Sequence, residues 1–477
     1  MVETISELAA ALRTGSVTAE QLLETCLARI AERDGLINSF VLIDEADARA
    51  AAGESDQLLA QGKARSPLEG IPISIKDNIH VRGLVTSWGS RGLKDFIAER
   101  DELPIARLRQ AGVVIVGKTN VPELTLEGYT SNELFGTTRN PWNTDLTPGG
   151  SSGGAAASVA AGFVVAAIGT DGGGSIRRPA SHTGLVGWKP SPGRIARAFG
   201  LPAILTDLEV VGTLTRSVAD ARLLDGLMAG ADNRDRRSLL SEAPAWKGRH
   251  PRVLFVPTFG DNPVDPEVLA ATQAFADLLA NNGADVEHGG LFFDLESVNF
   301  IWRVISRAGV AYLERWRGGN LEASLGPSAK SMLEDGRTIS AADYVDALER
   351  ITALRQGLVE SFADYDLVLT PTAAALPWPA DTPFPASIAG RPAGPRDHAV
   401  FTGWINSGGL PAISLPVALS KTGLPIGIQL AAGCGADESL LTFAESISAL
   451  APPPPFPKQG SPKAMQPTSP EEPSIVR

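Results

Sequence analysis

Three side chains in the sequence could together cleave a carbonyl compound. They are Lys76 in the segment IPISIKDNI, Ser151 in TPGGSSGG and Ser175 in GTDGGGSIRRPA. A serine hydroxyl becomes an effective nucleophile only when a neighbouring base takes its proton. No histidine lies within five residues of Ser175, so the base must come from elsewhere in the chain. Lys76 stands among three isoleucines, and burial there would lower its pKa and let the neutral amine act as that base.

The three consecutive glycines before Ser175 predict a backbone site for an anion. Glycine reaches backbone angles that other residues avoid, so the N–H groups of Gly172, Gly173, Gly174 and Ser175 can converge on one point. Donors arranged in this way stabilise the oxyanion of a serine attack by about 3 to 4 kcal/mol each. The following SIRRPAS is typical of a helix start, whose positive end also favours an anion. These residues are therefore the predicted oxyanion hole.

Two familiar motifs are also present, but their surroundings argue against both. GVVIVGKT, residues 112–119, fits the phosphate-loop pattern, yet its four middle residues are β-branched and typical of a strand interior. GGSSG, residues 149–153, fits the nucleophile elbow of α/β-hydrolases, yet it follows the loop-forming stretch NPWNTDLTP instead of a strand. Taken singly, a strand-end lysine is usually a surface group, and a serine among glycines usually belongs to a turn.

Taken together, the segments resemble the amidase signature family. GGSSGG and GTDGGGSIRRPA occur in that family's order, and the two serines Ser151 and Ser175 stand 24 positions apart, as the family requires. Similar segments are GIPISIKDNI, GKTNVPEL, NPWN, GLVGWKPSPGRI, LTRSVADA, DLVLTPT and LPIGIQL. The resemblance covers about residues 5–450.

The resemblance implies a Ser–cisSer–Lys triad. In it, Ser175 is the nucleophile, Ser151 is a bridging serine on a cis peptide, and Lys76 is the base that moves protons through Ser151. The implied reaction is attack on an amide, release of amine or ammonia from an acyl-enzyme, and hydrolysis by water, with no metal or cofactor. The resemblance also implies that Ser152 supports this geometry by hydrogen bonding.

The resemblance further implies that Asp171 and Arg177 form a structural pair that locks the loop. The next residue, Arg178, has two interpretations: a surface group at the helix start, which we favour because arginines are mostly exposed, or a reader of a substrate carboxylate. Aromatic residues on helices are usually core, but several at the mouth of a pocket would favour aryl or hydrophobic substrates. The candidate substrate-binding residues are Tyr129, Arg178, Trp316 and Trp378.

The variable segments favour a stand-alone amidase acting on aryl or otherwise hydrophobic amides. Residues 197–213, RAFGLPAILTDLEVVGT, do not resemble the serine- and glutamine-bearing stretch of the glutaminase subunit of aminoacyl-tRNA amidotransferase, whereas LEDGRTISAADYVDAL resembles stand-alone amidases. Esters and carbamates (urethanes) are further expected substrates, because attack on any carbonyl uses the same oxyanion hole. The alternatives are that glutaminase subunit, or a non-catalytic scaffold of the same fold.

The elements that position these residues are those of an α/β protein. From about residue 66, β-branched strands alternate with helices, which predicts an α/β protein with a covered, largely parallel or mixed sheet. The resemblance implies the amidase signature fold, a central mixed β-sheet flanked by helices on both faces. Residues 1–65 are expected to be an N-terminal helical segment packed on the core. Residues 66–450 are the predicted catalytic domain. Residues 451–477 hold 9 of the 35 prolines and are expected to be a disordered tail.

The amino-acid composition and net charge limit the classes of partner that we expect. Hydrophobic residues at 43% and charged residues at 20% are those of an ordinary globular protein. A net charge of −12 argues against nucleic-acid or anionic-membrane binding. Two cysteines make neither a disulfide framework nor a zinc site, and no signal peptide or long apolar run stands out. We expect a cytoplasmic protein with a small-molecule amide substrate; a homodimer is expected by analogy alone.

Overall fold

A mixed sheet of eleven strands runs through the protein. The computed structural model describes residues 4–239, 243, 246, 250–452 and 454–457. Within them the strands are β1 (Phe40–Ile43), β2 (Pro72–Lys76), β3 (Val114–Thr119), β4 (Ser131–Asn132), β5 (Gly136–Thr137), β6 (Ala166–Asp171), β7 (Val186–Lys189), β8 (Val210–Thr215), β9 (Arg252–Phe255), β10 (Asp285–His288), β11 (Leu367–Pro371), β12 (Ser387–Ile388), β13 (Arg391–Pro392), β14 (Ala412–Leu419) and β15 (Pro425–Ala432).

Helices cover the sheet. In the described ranges they are α1 (Ile5–Thr14), α2 (Ala19–Ile37), α3 (Glu45–Ala60), α4 (Leu103–Gln110), α5 (Gly153–Ala160), α6 (Arg177–Thr183), α7 (Val218–Met228), α8 (Pro266–Asn281), α9 (Leu295–Trp316), α10 (Pro327–Thr338), α11 (Ala341–Asp364), α12 (Gly403–Gly408) and α13 (Asp437–Ser446). This architecture confirms the predicted α/β fold with a central mixed sheet. Within the described part of the chain, no helix combines the length and apolar character needed to cross a lipid bilayer.

The strand order brings the ends of β2 and β6 together. The sheet runs β1-β3-β2-β6-β8-β7-β14-β15-β11-β9-β10. β2 pairs in parallel with β6, with Ile75 opposite Ile168. Because parallel strands end at the same edge of a sheet, the last residues of the two strands, Lys76 and Asp171, lie at one edge. Every residue of both strands is buried, including the polar residues at their ends.

The N-terminal segment contains a strand as well as helices. α2 begins with a capping box between Thr18 and Gln21, and its C-cap residue, Asn38, is in the left-handed conformation. The next residues form β1, which pairs antiparallel with β3. Residues 1–65 are predicted to be a helical segment, and β1 corrects that prediction. Its short apolar run forms a strand because β3, far along the chain, supplies the neighbouring strand. Most of the predicted tail, residue 453 and residues 458–477, lies outside the described residues.

The phosphate-loop motif is a strand in the structure. Its residues Val114–Thr119 form β3, and a Cβ added to Gly117 would stand 2.1 Å from the carbonyl oxygen of Leu42. Its lysine, Lys118, is buried and makes a 3.0 Å ion pair with Asp77. The motif therefore offers no turn of free amides to a phosphate, which agrees with the interpretation from its sequence.

Small residues let α5 approach the sheet closely. A Cβ added to Gly154 would stand 2.5 Å from the backbone nitrogen of Asn120, closer than any real Cβ atom could be accommodated without a shift of the backbone. All eight residues of α5 are buried. The helix begins just after Ser151 and Ser152, so its close packing holds the start of the helix, and the two serines with it, against the sheet edge.

Candidate active site

Lys76 is the last residue of β2 and is completely buried. Its Nζ lies 2.9 Å from Ser151 Oγ, 2.8 Å from Thr170 Oγ1 and 3.2 Å from the Thr170 carbonyl oxygen. Asn78 Nδ2 also donates to Thr170 Oγ1, at 2.9 Å. The amine is thus held by neutral oxygens, and one of them belongs to the predicted bridging serine.

Burial makes Lys76 a base near neutral pH. Loss of hydration disfavours the ammonium and lowers the pKa of Lys76 from 10.5 to about 7. The charges of Glu209 and Asp171 act in the opposite direction, and those of Arg197 and Arg178 reinforce the lowering. A large fraction of Lys76 is therefore neutral at pH 7 and able to accept a proton.

Ser151 lies on a turn that is tied to the Ser175 segment. The peptide bond between Gly150 and Ser151 is cis. The next residue, Ser152, donates its backbone N–H to the carbonyl oxygen of Ser175 at 3.1 Å. Its hydroxyl donates to the carbonyl oxygen of Thr170, also at 3.1 Å. Ser152 therefore joins the lysine side of the site to the glycine loop.

Ser175 follows the glycine loop directly and is 7% exposed. Gly174 has a φ of +109°, and a Cβ there would stand 2.4 Å from Thr402 Oγ1. That hydroxyl donates to the carbonyl oxygen of Gly173 at 2.7 Å. Only glycine combines this φ with so close a neighbour, which explains why the run of glycines ends immediately before the serine.

The amide of Gly174 already has a partner. It donates to Asp171 Oδ1 at 2.7 Å. The set of four predicted oxyanion donors is therefore smaller by one, because this N–H points at the carboxylate beneath the loop. The N–H groups of Gly172, Gly173 and Ser175 remain as the candidate donors.

The predicted pair of Asp171 and Arg177 is fully buried. Arg177 donates from Nη2 to Asp171 Oδ1 at 2.8 Å and from Nε to Oδ2 at 3.0 Å. Asn406 donates to the carbonyl oxygen of Asp171, and Gln429 accepts from Arg177 Nη1 at 2.7 Å. Burial alone would raise the pKa of Asp171, but the charge and hydrogen bonds of Arg177 outweigh it and keep that pKa well below 3.8. Two long-range partners thus fix the loop.

Arg178 is buried, at 3% exposure, so the favoured interpretation as a surface group is wrong. All seven residues of α6 are buried because the helix packs on β15, β7 and β14. Arg178 donates from Nε to the carbonyl oxygen of Gly174 at 3.4 Å and from Nη2 to that of Gly150 at 3.3 Å. Its Nη1 lies 3.3 Å from His398 Nε2. The side chain therefore spans the residues that precede the two serines.

Tyr129 and Trp378 lie near these groups. A Cβ on Gly150 would stand 2.5 Å from the carbonyl oxygen of Tyr129, so the backbone of Tyr129 packs on the turn before Ser151. Trp378 is 3% exposed, and its ring centre lies 4.7 Å from that of His398. Both residues are neighbours of the site, Tyr129 through its backbone and Trp378 through the histidine.

Trp316 does not lie beside the candidate site. It ends α9, is 37% exposed and packs against Phe96. The aromatic residue of this helix that meets the glycine loop is Trp302, whose Cζ3 is 3.0 Å from the position of a Cβ on Gly173. The two tryptophans are separated by roughly 20 Å of helix at 1.5 Å per residue. Trp302, and not Trp316, therefore lies beside the glycine loop.

Several residues around the site were not predicted from the sequence. Thr170, Thr402, Asn406, Arg396 and His398 all contact the candidate site or its immediate neighbours. Thr170 had a local signal, since it precedes Asp171 at the end of a buried strand. The other four lie more than 200 positions after the glycine loop, and only the fold brings them there.

Comparisons with known proteins show which family the chain is similar to. The family model described as Amidase matches residues 21–441. A glutamyl-tRNA(Gln) amidotransferase subunit of Synechococcus sp. (strain CC9605) is 36% identical over 461 residues, covering 90% of this chain and 92% of the relative. A solved bacterial aryl acylamidase of the amidase signature enzymes superposes with a TM-score of 0.87 at 28% identity, covering 94% and 96% of the two chains. The corresponding amidotransferase subunit from Thermotoga maritima gives 0.76 at 28% identity, covering 93% and 95%.

Proposed function

We propose that this chain, which belongs to the amidase signature family, hydrolyses the carboxamide of a small molecule through an acyl-enzyme on Ser175. Membership confirms the resemblance found in the sequence, and the chain is an amidohydrolase acting on carbon–nitrogen bonds. The observation that carries the proposed mechanism is the 2.9 Å approach of a buried lysine amine, Lys76, to Ser151 Oγ.

The proposed chemistry moves one proton along the three side chains. Neutral Lys76 accepts a proton from Ser151 as Ser151 accepts one from Ser175, whose oxygen attacks the amide carbon. The N–H groups of Gly172 and Gly173, with that of Ser175 itself, stabilise the oxyanion. The proton returns through Ser151 to the leaving nitrogen as the carbon–nitrogen bond breaks. Water then hydrolyses the ester by the same route, which restores the enzyme.

The relatives found by sequence support the amidotransferase alternative better than the stand-alone amidase. The relatives from Synechococcus and Lachnospira eligens both carry the name of the same glutamyl-tRNA(Gln) amidotransferase subunit, and they are 36% and 33% identical to this chain. Our first candidate is therefore release of ammonia from the side-chain amide of glutamine, as one subunit of an assembly. In that case other protein chains would be partners in addition to the small-molecule amide.

A second candidate, the stand-alone amidase, is supported by the fold and by one segment. The aryl acylamidase superposes with a TM-score of 0.87, against 0.76 for the Thermotoga maritima amidotransferase subunit. Residues 197–213, which depart from the glutaminase stretch, pack on the glycine loop: a Cβ on Gly172 would stand 2.6 Å from Leu205 Cδ1. A departure at this position changes the surroundings of the candidate donors, and therefore the acyl groups that fit.

One experiment tests the function and separates the candidates. The purified chain is treated with a fluorophosphonate, and its intact mass is measured by mass spectrometry. The same is done for Ser175→Ala and for Ser446→Ala, a matched change of an exposed serine. We expect one adduct that is lost only in Ser175→Ala. Ammonia or amine release is then measured with L-glutamine and with aryl amides, esters and carbamates. Turnover of glutamine favours the amidotransferase role, turnover of aryl amides favours the stand-alone enzyme, and a folded chain with neither adduct nor turnover would indicate the scaffold.

A further inference from the structure

A cavity of about 510 Å³ lies at the sheet edge opposite the candidate active site. Pro72, the first residue of β2, and Val165, which precedes β6, both line it. Lys76 ends β2, so at about 3.3 Å per residue roughly 13 Å of strand separates the lysine from the cavity. The volume is typical of pockets that bind small organic molecules. The cavity is therefore a candidate binding site apart from the proposed triad.

Most of the cavity wall is apolar. Leu22, Leu36 and Ile37 of α2 line one side, and residues 160–165, at the end of α5 and beyond it, line another. Phe456, near the end of the described chain, adds an aromatic ring to the wall. An enclosed apolar surface gains free energy when a hydrocarbon group displaces water from it. The wall therefore favours a ligand with an aliphatic tail.

One buried cation, Arg216, interrupts this apolar wall. It is 3% exposed and lines the cavity. Its Nη2 donates to the carbonyl oxygen of Pro454 at 2.7 Å, and its guanidinium carbon lies 4.0 Å from the ring centre of Phe456. Among the described residues, its Nε has no hydrogen-bond partner. Burial lowers the pKa of Arg216 to about 10, and no neighbouring charge opposes this. The group therefore stays charged at neutral pH without a counter-charge, which is costly.

Two further arginines line the same cavity, Arg29 and Arg33. Arg29 donates from Nη1 to the carbonyl oxygen of Gly162 at 3.0 Å, and Arg33 donates from Nη2 to that of Ala161 at 2.9 Å. Like charges four positions apart on a helix repel each other. The one acidic residue among the described lining residues is Glu32, which is exposed. Three cations against one exposed carboxylate give the cavity a net positive charge.

We propose that this cavity binds an amphiphilic anion, an aliphatic carboxylate whose tail contacts the apolar wall and whose head group pairs with Arg216. The inference goes beyond amide hydrolysis and requires no turnover. A carboxylate accepts strong, charge-assisted hydrogen bonds from a guanidinium. It thus uses the Nε–H donor that no described residue engages and supplies the counter-charge that Arg216 lacks.

The test compares three ligands by isothermal titration calorimetry. Decanoate carries both the tail and the charge, 1-decanol has the same tail without the charge, and butyrate has the same head group on a short tail. We expect one decanoate to bind per chain, about tenfold or more tighter than either of the others, because hydrogen bonds to charged groups and buried methylene groups each contribute to affinity.

Substitution of Arg216 locates the head group. Arg216→Met keeps an apolar stem but removes the guanidinium, and it should weaken decanoate binding by about tenfold to a hundredfold while 1-decanol binding is unchanged. Arg236→Met, a matched change of an exposed arginine, should alter neither. Thermal unfolding of each variant shows whether it is folded, because Arg216→Met also removes the hydrogen bond to Pro454.

A second position tests the cavity without touching a buried group. Leu36 lines the cavity and is 43% exposed, so a polar side chain there leaves the core intact. Leu36→Glu adds a negative charge at the opening and should weaken decanoate binding by about twofold to fivefold at low salt. Leu36→Lys, which removes the same leucine but adds a positive charge, should not weaken it.

Three results would overturn the proposal. The first is that decanoate does not bind, or binds no better than 1-decanol. The second is that Arg216→Met and Leu36→Glu both bind decanoate like the parent. The third is that Arg178→Gln loses decanoate binding while Arg216→Met retains it, which would place the anion at the candidate active site. Since each measurement reports binding alone, a chain that proved unable to hydrolyse amides would leave the result unchanged.

Discussion

The backbone N–H of Ser152 donates a 3.1 Å hydrogen bond to the carbonyl oxygen of Ser175. This one contact joins the turn that carries the predicted bridging serine to the loop that carries the predicted nucleophile. Each side is fixed again by its own partners: Ser152 Oγ donates to Thr170, and the glycine loop is held by Asp171. The relative position of the two serines is therefore set before any substrate arrives.

Removal of the lysine amine should abolish most of the activity. Lys76→Met keeps an apolar stem of similar length in the buried position but removes the only base within reach of Ser151 in the described structure. We expect kcat to fall by about 10² to 10⁴, the usual contribution of a positioned base. The measurement is turnover of the best amide, with circular dichroism to show that the variant is folded. Retention of more than a tenth of the activity would contradict the role of Lys76.

Activity should rise as the pH rises through about 7, because only neutral Lys76 accepts a proton. Glu209 raises this pKa by its charge, so Glu209→Gln should lower it and move the rising limb of kcat/KM towards acid pH. Exposed Glu360→Gln is the matched control and should leave the limb in place. A neutral amide is used, so that titration of the substrate does not enter. A limb that stays fixed in Glu209→Gln would argue that another group controls it.

The same pKa predicts how stability varies with pH. The pKa of Lys76 is lower in the folded chain than its ordinary value of 10.5, so between about pH 7 and 10.5 the unfolded chain binds the extra proton. The contribution of Lys76 to the free energy of unfolding therefore increases with pH across that window and is constant below it. Urea unfolding at several pH values, for the parent and Lys76→Met, isolates this contribution as the difference in slope. Parallel slopes for the two proteins would show that the amine does not change its proton affinity on folding.

Loss of the buried carboxylate beneath the loop should destabilise the protein strongly. Asp171→Asn leaves Arg177 buried without its charge partner, and breaking such a pair costs about 3 to 5 kcal/mol of unfolding free energy. Denaturant unfolding gives the value. Asp346→Asn breaks an exposed pair with Arg350 one helical turn away and should cost about 0.5 kcal/mol or less. Equal effects of the two changes would show that the buried pair does not hold the loop.

A methyl group on α5 should disturb the site, whereas one on α7 should not. Gly154→Ala drives its Cβ to 2.5 Å from the backbone of Asn120, and overpacking of this kind costs about 1 to 3 kcal/mol. Activity should fall as well, because Ser151 and Ser152 lie at the start of this helix. Gly226→Ala is the matched control, since nothing lies within 4 Å of the added atom, and it should be neutral or stabilising by up to about 1 kcal/mol. Thermal unfolding and turnover of both variants provide the comparison.

Much of the site could be predicted because its signals are local. The glycine run and the buried lysine each reflect backbone angles or neighbours within a few positions. The burial of Arg178 could not be predicted, because it depends on strands β14 and β15, far along the chain. The same holds for the partners from Arg396 to Asn406, because no pattern in that segment of the sequence indicates that it contacts the glycine loop. Both Trp302 and Trp316 lie on α9, and only the placement of that helix against the glycine loop determines which of them is beside the loop.

β1 determines where the chain can be shortened. It is the edge strand of the sheet and pairs with β3. The other edge of β3 pairs with β2. A fragment that starts at residue 66 would leave Gly117, Lys118 and Thr119 of β3 without their partners on β1, with the N–H and C=O groups of that edge open to another molecule. Such edges add strands from neighbouring copies. A fragment without the first 65 residues should therefore self-associate, although every residue of the proposed triad would still be present.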